Sequence, residues 1–347
     1  MTHARTLPFL CSALCAILLV PACPAASAPP ALVQAVDSVA IPVLDADRSI
    51  DFYSHVLAFR KTADREVAGD AYAHLFGVFG LRVRLVRMQL GDESIELMQF
   101  LSPHGRPLPA DFRSNDRWFQ HIAIIVSDMD QAFAVLREHH VTFASPEPQV
   151  LPAWNPNAAG IAAFYFKDPD GNHLEILHFP PDKGSPKWHP SATRFAVTTL
   201  FLGIDHSAIV VAHTEDSLKY YRDFLGMKMV GESDNYGAEQ EHLNNVFGAH
   251  LRITALRAQS GPGVELLEYL APRNGRAYPP DSVASDQWQW VVNLRTKPTT
   301  ALESVDHMRD QVWVSNKPTT LDNSALGYTQ AFMLRDPDGH VDNLILQ

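Results

Sequence analysis

No cysteine lies beyond residue 23: Cys11, Cys15 and Cys23 are the only three in 347 residues. The long body that follows can form no internal disulfide and offers no thiolate to a metal, so it must be stabilised by a packed core. Basic blocks are missing as well. With 28 Lys and Arg against 39 Asp and Glu, the net charge is −11, which makes nucleic acid and anionic lipid headgroups poor partners. After the N-terminal run, no stretch approaches the roughly 20 apolar residues of a membrane helix, and the body is expected to be soluble.

The first residues have a recognisable layout. Arg5 is followed by the apolar run LPFLCSALCAILLV and then by PACPAASAPP, small residues and prolines. This predicts a secretory signal peptide over 1–28, cut after about Ala22 or Ala28, and an exported, periplasmic protein. Cys23 in VPAC is also placed as a bacterial lipoprotein cysteine would be, and a lipid anchor there is the one membrane contact expected.

What the body has is repetition. KDPDGNHLEIL, from Lys167, returns near the C-terminus as RDPDGHVDNLIL, from Arg335. VDSVAIPVLDADRSIDFYSHVLAF, from Val36, returns as IDHSAIVVAHTEDSLKYYRDFLGMKMVG, from Ile204. Each of these opens with an apolar strand and continues into a helix, capped by Asp45 or Asp47 in the first and by Thr214 in the second. They close on the strands SIELMQFLSP and VELLEYLAP. FQHIAIIV, from Phe119, and WQWVVNLR, from Trp288, open two further units that end on the DPDG strands, with helices from Asp128 and Lys297 between; Thr300 and Glu303 have capping-box spacing. In each DPDG ending the proline presets a turn and the glycine supplies positive φ. Four units thus read strand, helix, then several strands, and a proline-rich stretch from Phe179 separates the second from the third.

DHSAIVV with YYRDFLGMKMVG, QHIAIIV and the two DPDG strands resemble the vicinal oxygen chelate superfamily, which includes glyoxalase I, extradiol dioxygenases and bleomycin-binding proteins. The resemblance covers Val36 to Gln347. It implies an α+β fold of four βαβββ modules that pair into two cupped mixed β-sheets with helices outside. By length the chain divides into 36–178 (modules one and two), a linker over 179–202, and 203–347 (modules three and four).

In that family each module offers a ligand slot early in its first strand and another in its last. Module two fills them with His121 and Glu175, and module three with His206 and Glu265. Module one has Ser38 and Glu96, and module four has Trp290 and Asn343. Taken singly, a strand histidine is ordinarily a satisfied core residue. Two histidines and two glutamates at matching positions are different, because burying four ionisable groups without a partner is costly. One divalent metal ion, zinc, nickel, iron or manganese, suits such donors.

Two pairings are open. If neighbouring modules share a cup, the ligands are Glu96, His121 and Glu175. If module two pairs with three and one with four, His121, Glu175, His206 and Glu265 form one live cup, and Ser38, Glu96, Trp290 and Asn343 a lapsed one. The second accounts for all eight slots. The resemblance to glyoxalase I then implies a metal-dependent lyase or isomerase in which Glu175 or Glu265 acts as the base on a small substrate with adjacent oxygens, the protein being a monomer or homodimer. A ring-cleaving dioxygenase fits the slots of the C-terminal half poorly. The alternative of another class is a metal-free binding protein whose cup is lined by Phe100, Trp154, Tyr269 and Trp290.

Overall fold

The computed structural model describes Met1 and residues 31–189, 199–297, 314–315, 318–321 and 327–346. The leader with Cys23, and all but Lys297 of the helix expected over 297–311, lie outside the described residues. Ala31–Gln347 cluster as one compact unit.

Module one runs β1 (Val33–Pro42), α1 (Ala46–His55), β2 (Arg60–Ala68), α2 (Asp70–Phe76), β3 (Arg82–Leu90) and β4 (Glu93–Ser102). Module two runs β5 (Gln120–Val126), α3 (Met129–Glu138), the two-residue strands β6 (Thr142–Phe143) and β7 (Gln149–Val150), then β8 (Ala162–Lys167) and β9 (His173–His178). Module three has β10 (Phe201–Val211), α4 (Thr214–Leu218), β11 (Lys228–Asn235), α5 (Ala238–Asn244), β12 (His250–Arg257) and β13 (Gly263–Ala271). In module four the described strands are β14 (Val291–Thr296), β15 (Thr319–Thr320), β16 (Gln330–Arg335) and β17 (Val341–Leu346).

Local chemistry accounts for the helix starts. Asp45 caps α1, its carboxylate accepting from the Asp47 and Arg48 amides at 3.0 and 3.1 Å, and Asp128 caps α3 through the Gln131 amide at 2.9 Å. Thr214 is not the cap expected of it: it is the first residue of α4, and its N–H is taken by Glu268 Oε2 from the neighbouring β13 at 2.9 Å. A carboxylate from another strand satisfies the free helix amide instead. Past Leu218 the helix widens into a π-helical stretch, Lys219–Phe224, which buries both Tyr220 and Tyr221.

Two mixed sheets hold the strands. One has the order β15-β16-β17-β14-β1-β4-β3-β2, the other β11-β12-β13-β10-β5-β9-β8-β6, with β7 paired to β8. The first therefore joins module one to module four, through antiparallel β1 and β14, and the second joins module two to module three, through antiparallel β5 and β10. The apolar cores are shared differently. Val39, Ile41 and Leu97 of module one pack in the same cluster as Ile122, Phe164 and Ile176 of module two. Ile209, Tyr221 and Leu266 of module three pack with Leu294, Phe332 and Leu344 of module four. The sheets thus pair module one with four and module two with three, while these two apolar clusters pack module one against two and module three against four.

Reciprocal clasps tie the connections down. Arg106, after β4, binds the buried Asp286, just ahead of β14, with Nη2–Oδ2 at 2.7 Å and Nε–Oδ1 at 3.0 Å. Arg276, after β13, grips the buried Asp116 ahead of β5 at 2.5 and 3.0 Å. Each guanidinium forms a two-pronged, charge-assisted pair that holds a carboxylate where the first strand of a module begins.

Candidate metal centre

Strand alternation puts His121 and Ala123 of β5 on one face, together with His206 and Ala208 of β10. The register opposes Ala208 to His121 and His206 to Ala123. On the flanks, Ala208 is level with Glu265 and Ala123 with Glu175. On the side toward the β5–β10 seam each donor therefore has an alanine methyl as its neighbour, and the four converge across the alanine gaps.

His121, Glu175 and His206 are all buried, and one donor atom from each lies within 4.8 Å of the others. Glu175 Oε2 is 3.2 Å from His121 Nε2 and 3.6 Å from His206 Nε2. Glu265 Oε2 stands 3.4 Å from the same His206 nitrogen, and its side chain keeps 23% of its exposure against 6% for Glu175. These four are the residues of the live cup. Glu96 lies in the other sheet and does not meet His121 and Glu175.

Outer contacts aim the second imidazole. His206 Nδ1 is 3.1 Å from Asp205 Oδ2. Arg257 Nη2 holds that carboxylate at 2.6 Å, and Trp188 Nε1 donates to its other oxygen at 3.0 Å. With Nδ1 so engaged, Nε2 is turned toward the cluster, the arrangement that fixes a metal-binding imidazole. His121 has no such support. Neither of its ring nitrogens completes a hydrogen bond, although Nε2 is only 3.2 Å from Glu175. The distance is short, yet the pair does not meet hydrogen-bond geometry. A buried nitrogen without a partner is expensive, and a divalent ion accepting from imidazole and carboxylate would remove the cost, so the residues present fit such an ion.

Electrostatics agree. Burial opposes the charged form of Glu175, yet the two histidines hold its pKa down at about 2. Burial likewise opposes charge on His206, but Glu265, Asp205 and Glu175 together push its pKa up to about 10. Without a metal, then, a proton sits on His206 at neutral pH. Metal uptake must expel it, and affinity should rise by about one power of ten per pH unit from pH 7 until it levels off near 10. Calorimetric titration with zinc in buffers of different ionisation enthalpy should show close to one proton released at pH 7.

The centre forms the floor of a cavity of about 710 Å³ whose walls include Leu151, Asn157, Tyr165, Gln240 and Leu267. The aromatic cup expected for a binding protein is not assembled. Phe100 packs in the apolar filling of the other sheet, Trp290 lies in the core between modules one and two, and Trp154 is exposed and stacked on Tyr236 at 4.2 Å.

The lapsed cup corrects the module-four slot. The residue level with Ser38 and Asn343 is Asn293, and Val291 takes the place His121 has in the live cup. Trp290 is one residue out of register, so it points to the opposite face and donates to Asn172 Oδ1 at 3.3 Å. Asn293, standing where the live cup has Ala123, sends its amide to Ser38 Oγ at 3.0 Å and to Glu96 Oε2 at 3.2 Å. Asn343 in turn donates to Asn293 Oδ1 at 2.9 Å and lies 3.1 Å from the Tyr328 hydroxyl. One amide group thus occupies the centre of the duplicated site. Apolar residues of α2 and of strands β3 and β16 fill the space above.

Sequence reasoning missed Asp205, Asn293 and the cavity wall. The Asp-His pair in IDHSA was a usable signal for the first. For Asn293 the shared Asp-x-Trp of 116–118 and 286–288 points to the right register, but the two tryptophans of WQWVV fit a second alignment equally well, so the sequence does not choose between them.

A family model described as Glyoxalase/Bleomycin resistance protein/Dioxygenase superfamily matches residues 35–176 and 203–341. A 2-epi-5-epi-valiolone epimerase from Actinomyces sp is 29% identical over 151 residues, 42% of this chain and 80% of that protein. Glyoxalase I from Zea mays superposes with a TM-score of 0.59 over 90% of this chain and 92% of its own, at 16% identity, which is a likeness of fold.

Proposed function

The chain belongs to the glyoxalase/bleomycin resistance protein/dioxygenase superfamily, and on that premise we propose that it is an exported, metal-dependent lyase or isomerase that moves a proton on a carbon next to a carbonyl group. One observation carries the reading: two carboxylates of opposite character share one histidine at the floor of the cavity. Glu175 is held anionic by His121 and His206 and suits a permanent ligand. Glu265 has its pKa raised by burial against the opposing pull of His206, with Asp205 and Glu175 adding to the rise, and its side chain is the more exposed of the two. A raised carboxyl pKa is what a general base working near neutral pH needs.

A divalent ion bound by His121, Glu175 and His206 would supply Lewis-acid polarisation of the substrate oxygens. In this scheme Glu265 Oε2 accepts the proton from the carbon beside the polarised carbonyl. The C–H bonding pair moves into the carbon framework toward the polarised oxygen, and the protonated Glu265 then returns its proton to the adjacent carbon on the same face while the hydroxyl proton of the first carbon passes to the former carbonyl oxygen. Isomerisation of a glyoxalase type and epimerisation share this abstraction and differ afterwards, since epimerisation leaves the hydroxyl in place and takes a proton on the opposite face of the same carbon from a second acid. The likeness to an epimerase supports this reading of the reaction class.

A second reading has its own support. His121, His206 and Glu175 alone make a set of two histidines and one carboxylate, the ligand set of non-haem iron oxygenases.

The test is made on the metal-loaded protein in D2O with a panel of α-hydroxy ketones and aldehydes. The expected results are one divalent ion per chain, deuterium appearing on the carbon next to the carbonyl, and loss of that exchange in Glu265→Gln. Glu96→Ala should change neither metal content nor exchange. Absence of bound metal overturns the proposal, and oxygen consumption without exchange establishes the second reading.

A further inference from the structure

Asn235 and Gln240, both buried, line the cavity above the metal centre. They belong to a chain of amides that runs in one direction. Asn155 Nδ2 donates to Asn235 Oδ1 at 2.8 Å, Asn235 Nδ2 donates to Gln240 Oε1 at 3.0 Å, and Gln240 Nε2 donates to Asn244 Oδ1. At the end of the chain Asn244 Nδ2 completes no hydrogen bond of ordinary geometry, although it lies near enough to the Tyr165 hydroxyl to temper that group's pKa. Burial, and after it Glu175, raises the Tyr165 pKa well above 10, so the phenol is neutral and able to donate. Tyr165 lines the same cavity and is level with Glu175 across β8 and β9.

The internal repeat supplies a control. Gly69 and Gly237 precede α2 and α5, and counting from them places Val67, Tyr72 and Phe76 where the live cup has Asn235, Gln240 and Asn244. Met333, level with Asn343, stands where Tyr165 is level with Glu175. All four counterparts belong to the apolar packing of the lapsed cup. The fold therefore accepts Val, Tyr, Phe and Met at these four places, and at these positions buried amides and a phenol, which cost free energy to desolvate, stand on the side of the His121, Glu175 and His206 cluster.

Charge narrows the ligand further. The wall carries four carboxylates, Glu175, Asp205, Glu232 and Glu265. Its two fixed cations are already committed, Lys187 to Glu93 and Arg257 to Asp205. Among the described lining residues, a substrate carboxylate or phosphate would find no unpaired basic side chain.

We propose that the cavity takes a neutral, polyhydroxylated carbonyl compound, its hydroxyl groups read by Asn235, Gln240 and Tyr165, rather than an anionic glutathione adduct. This rests on the site assigned above but not on the reaction, since hydroxyl recognition by the amide wall does not require the metal. The probes are D-fructose and a keto-inositol as neutral polyhydroxy ketones, and S-lactoylglutathione as the anionic thiol adduct. Binding is followed by ligand-observed NMR on metal-loaded and on EDTA-treated protein, so that loss of the metal reading leaves the ligand reading measurable.

At least one neutral probe should bind in both forms, more tightly than S-lactoylglutathione. Its affinity should fall by about tenfold or more in the triple variant Asn235→Val, Gln240→Tyr, Asn244→Phe, the equivalent of one lost hydrogen bond in a buried site. If that variant fails to fold, Gln240→Leu serves in its place, with melting temperature as the check. Tighter binding of S-lactoylglutathione, no binding of either neutral probe to folded protein, or unchanged affinity in the folded variant would overturn the proposal.

Discussion

Glu175→Gln should strip the centre of its metal, lowering affinity by more than about 100-fold, because a direct ligand is worth more than the 10- to 100-fold typical of an outer contact. Glutamine preserves the length of the side chain and can still donate or accept. What disappears is the anion that His121 and His206 hold at a pKa of about 2 despite its burial. In the metal-free state the same change leaves the charged His206 with Asp205 and Glu265 as its remaining carboxylates. The melting temperature of the metal-free form should therefore fall as well, and the comparison is made at equal folded fraction, by competition with a chromophoric chelator. Retention of wild-type affinity in folded Glu175→Gln would exclude this cup as the metal centre.

The reverse substitution in the lapsed cup should fail to build a site. Asn343→Glu restores the carboxylate of the other DPDG strand, but Val291 stands where an imidazole is needed and Asn293 already fills the centre. The new side chain would lose the amide donated to Asn293 Oδ1 and would lie near Glu96, a carboxyl whose pKa burial already pushes upward. A second, unpaired carboxylate in that enclosed space should cost about 3–5 kcal/mol, the scale seen when a buried charge is left without its partner. Chemical denaturation gives the loss, and elemental analysis should find no additional ion. A second bound metal with undiminished stability would refute the account of the lapsed cup.

Much of this was written in local patterns. The four first strands are apolar runs, the Asp caps of α1 and α3 precede amphipathic stretches, and the DPDG turns repeat with glycine at positive φ, +88° at Gly171 and +110° at Gly339. Such features depend on neighbours a few residues away, so the sequence displays them directly. His121, Glu175, His206 and Glu265 were legible from their repeated positions: the two histidines lie in the first strands of their modules, and the two glutamates each sit between apolar residues of a last strand.

The identity and order of the modules, and the polar positions within each, are thus properties of the sequence by itself. Which modules share a sheet is not, because the pairing of β5 with β10 and of β1 with β14 depends on contacts between distant segments, and either arrangement would satisfy the alternation of each strand. Only the tertiary structure decided that Asn293 rather than Trp290 occupies the lapsed slot, since a slip of one residue exchanges the two faces of a strand and the repeat allowed both registers. The amide wall lies at the same limit. Asn155, Asn235, Gln240 and Asn244 come from a loop, a strand end and a helix of two different modules, and they become one surface only when the sheet joins those modules.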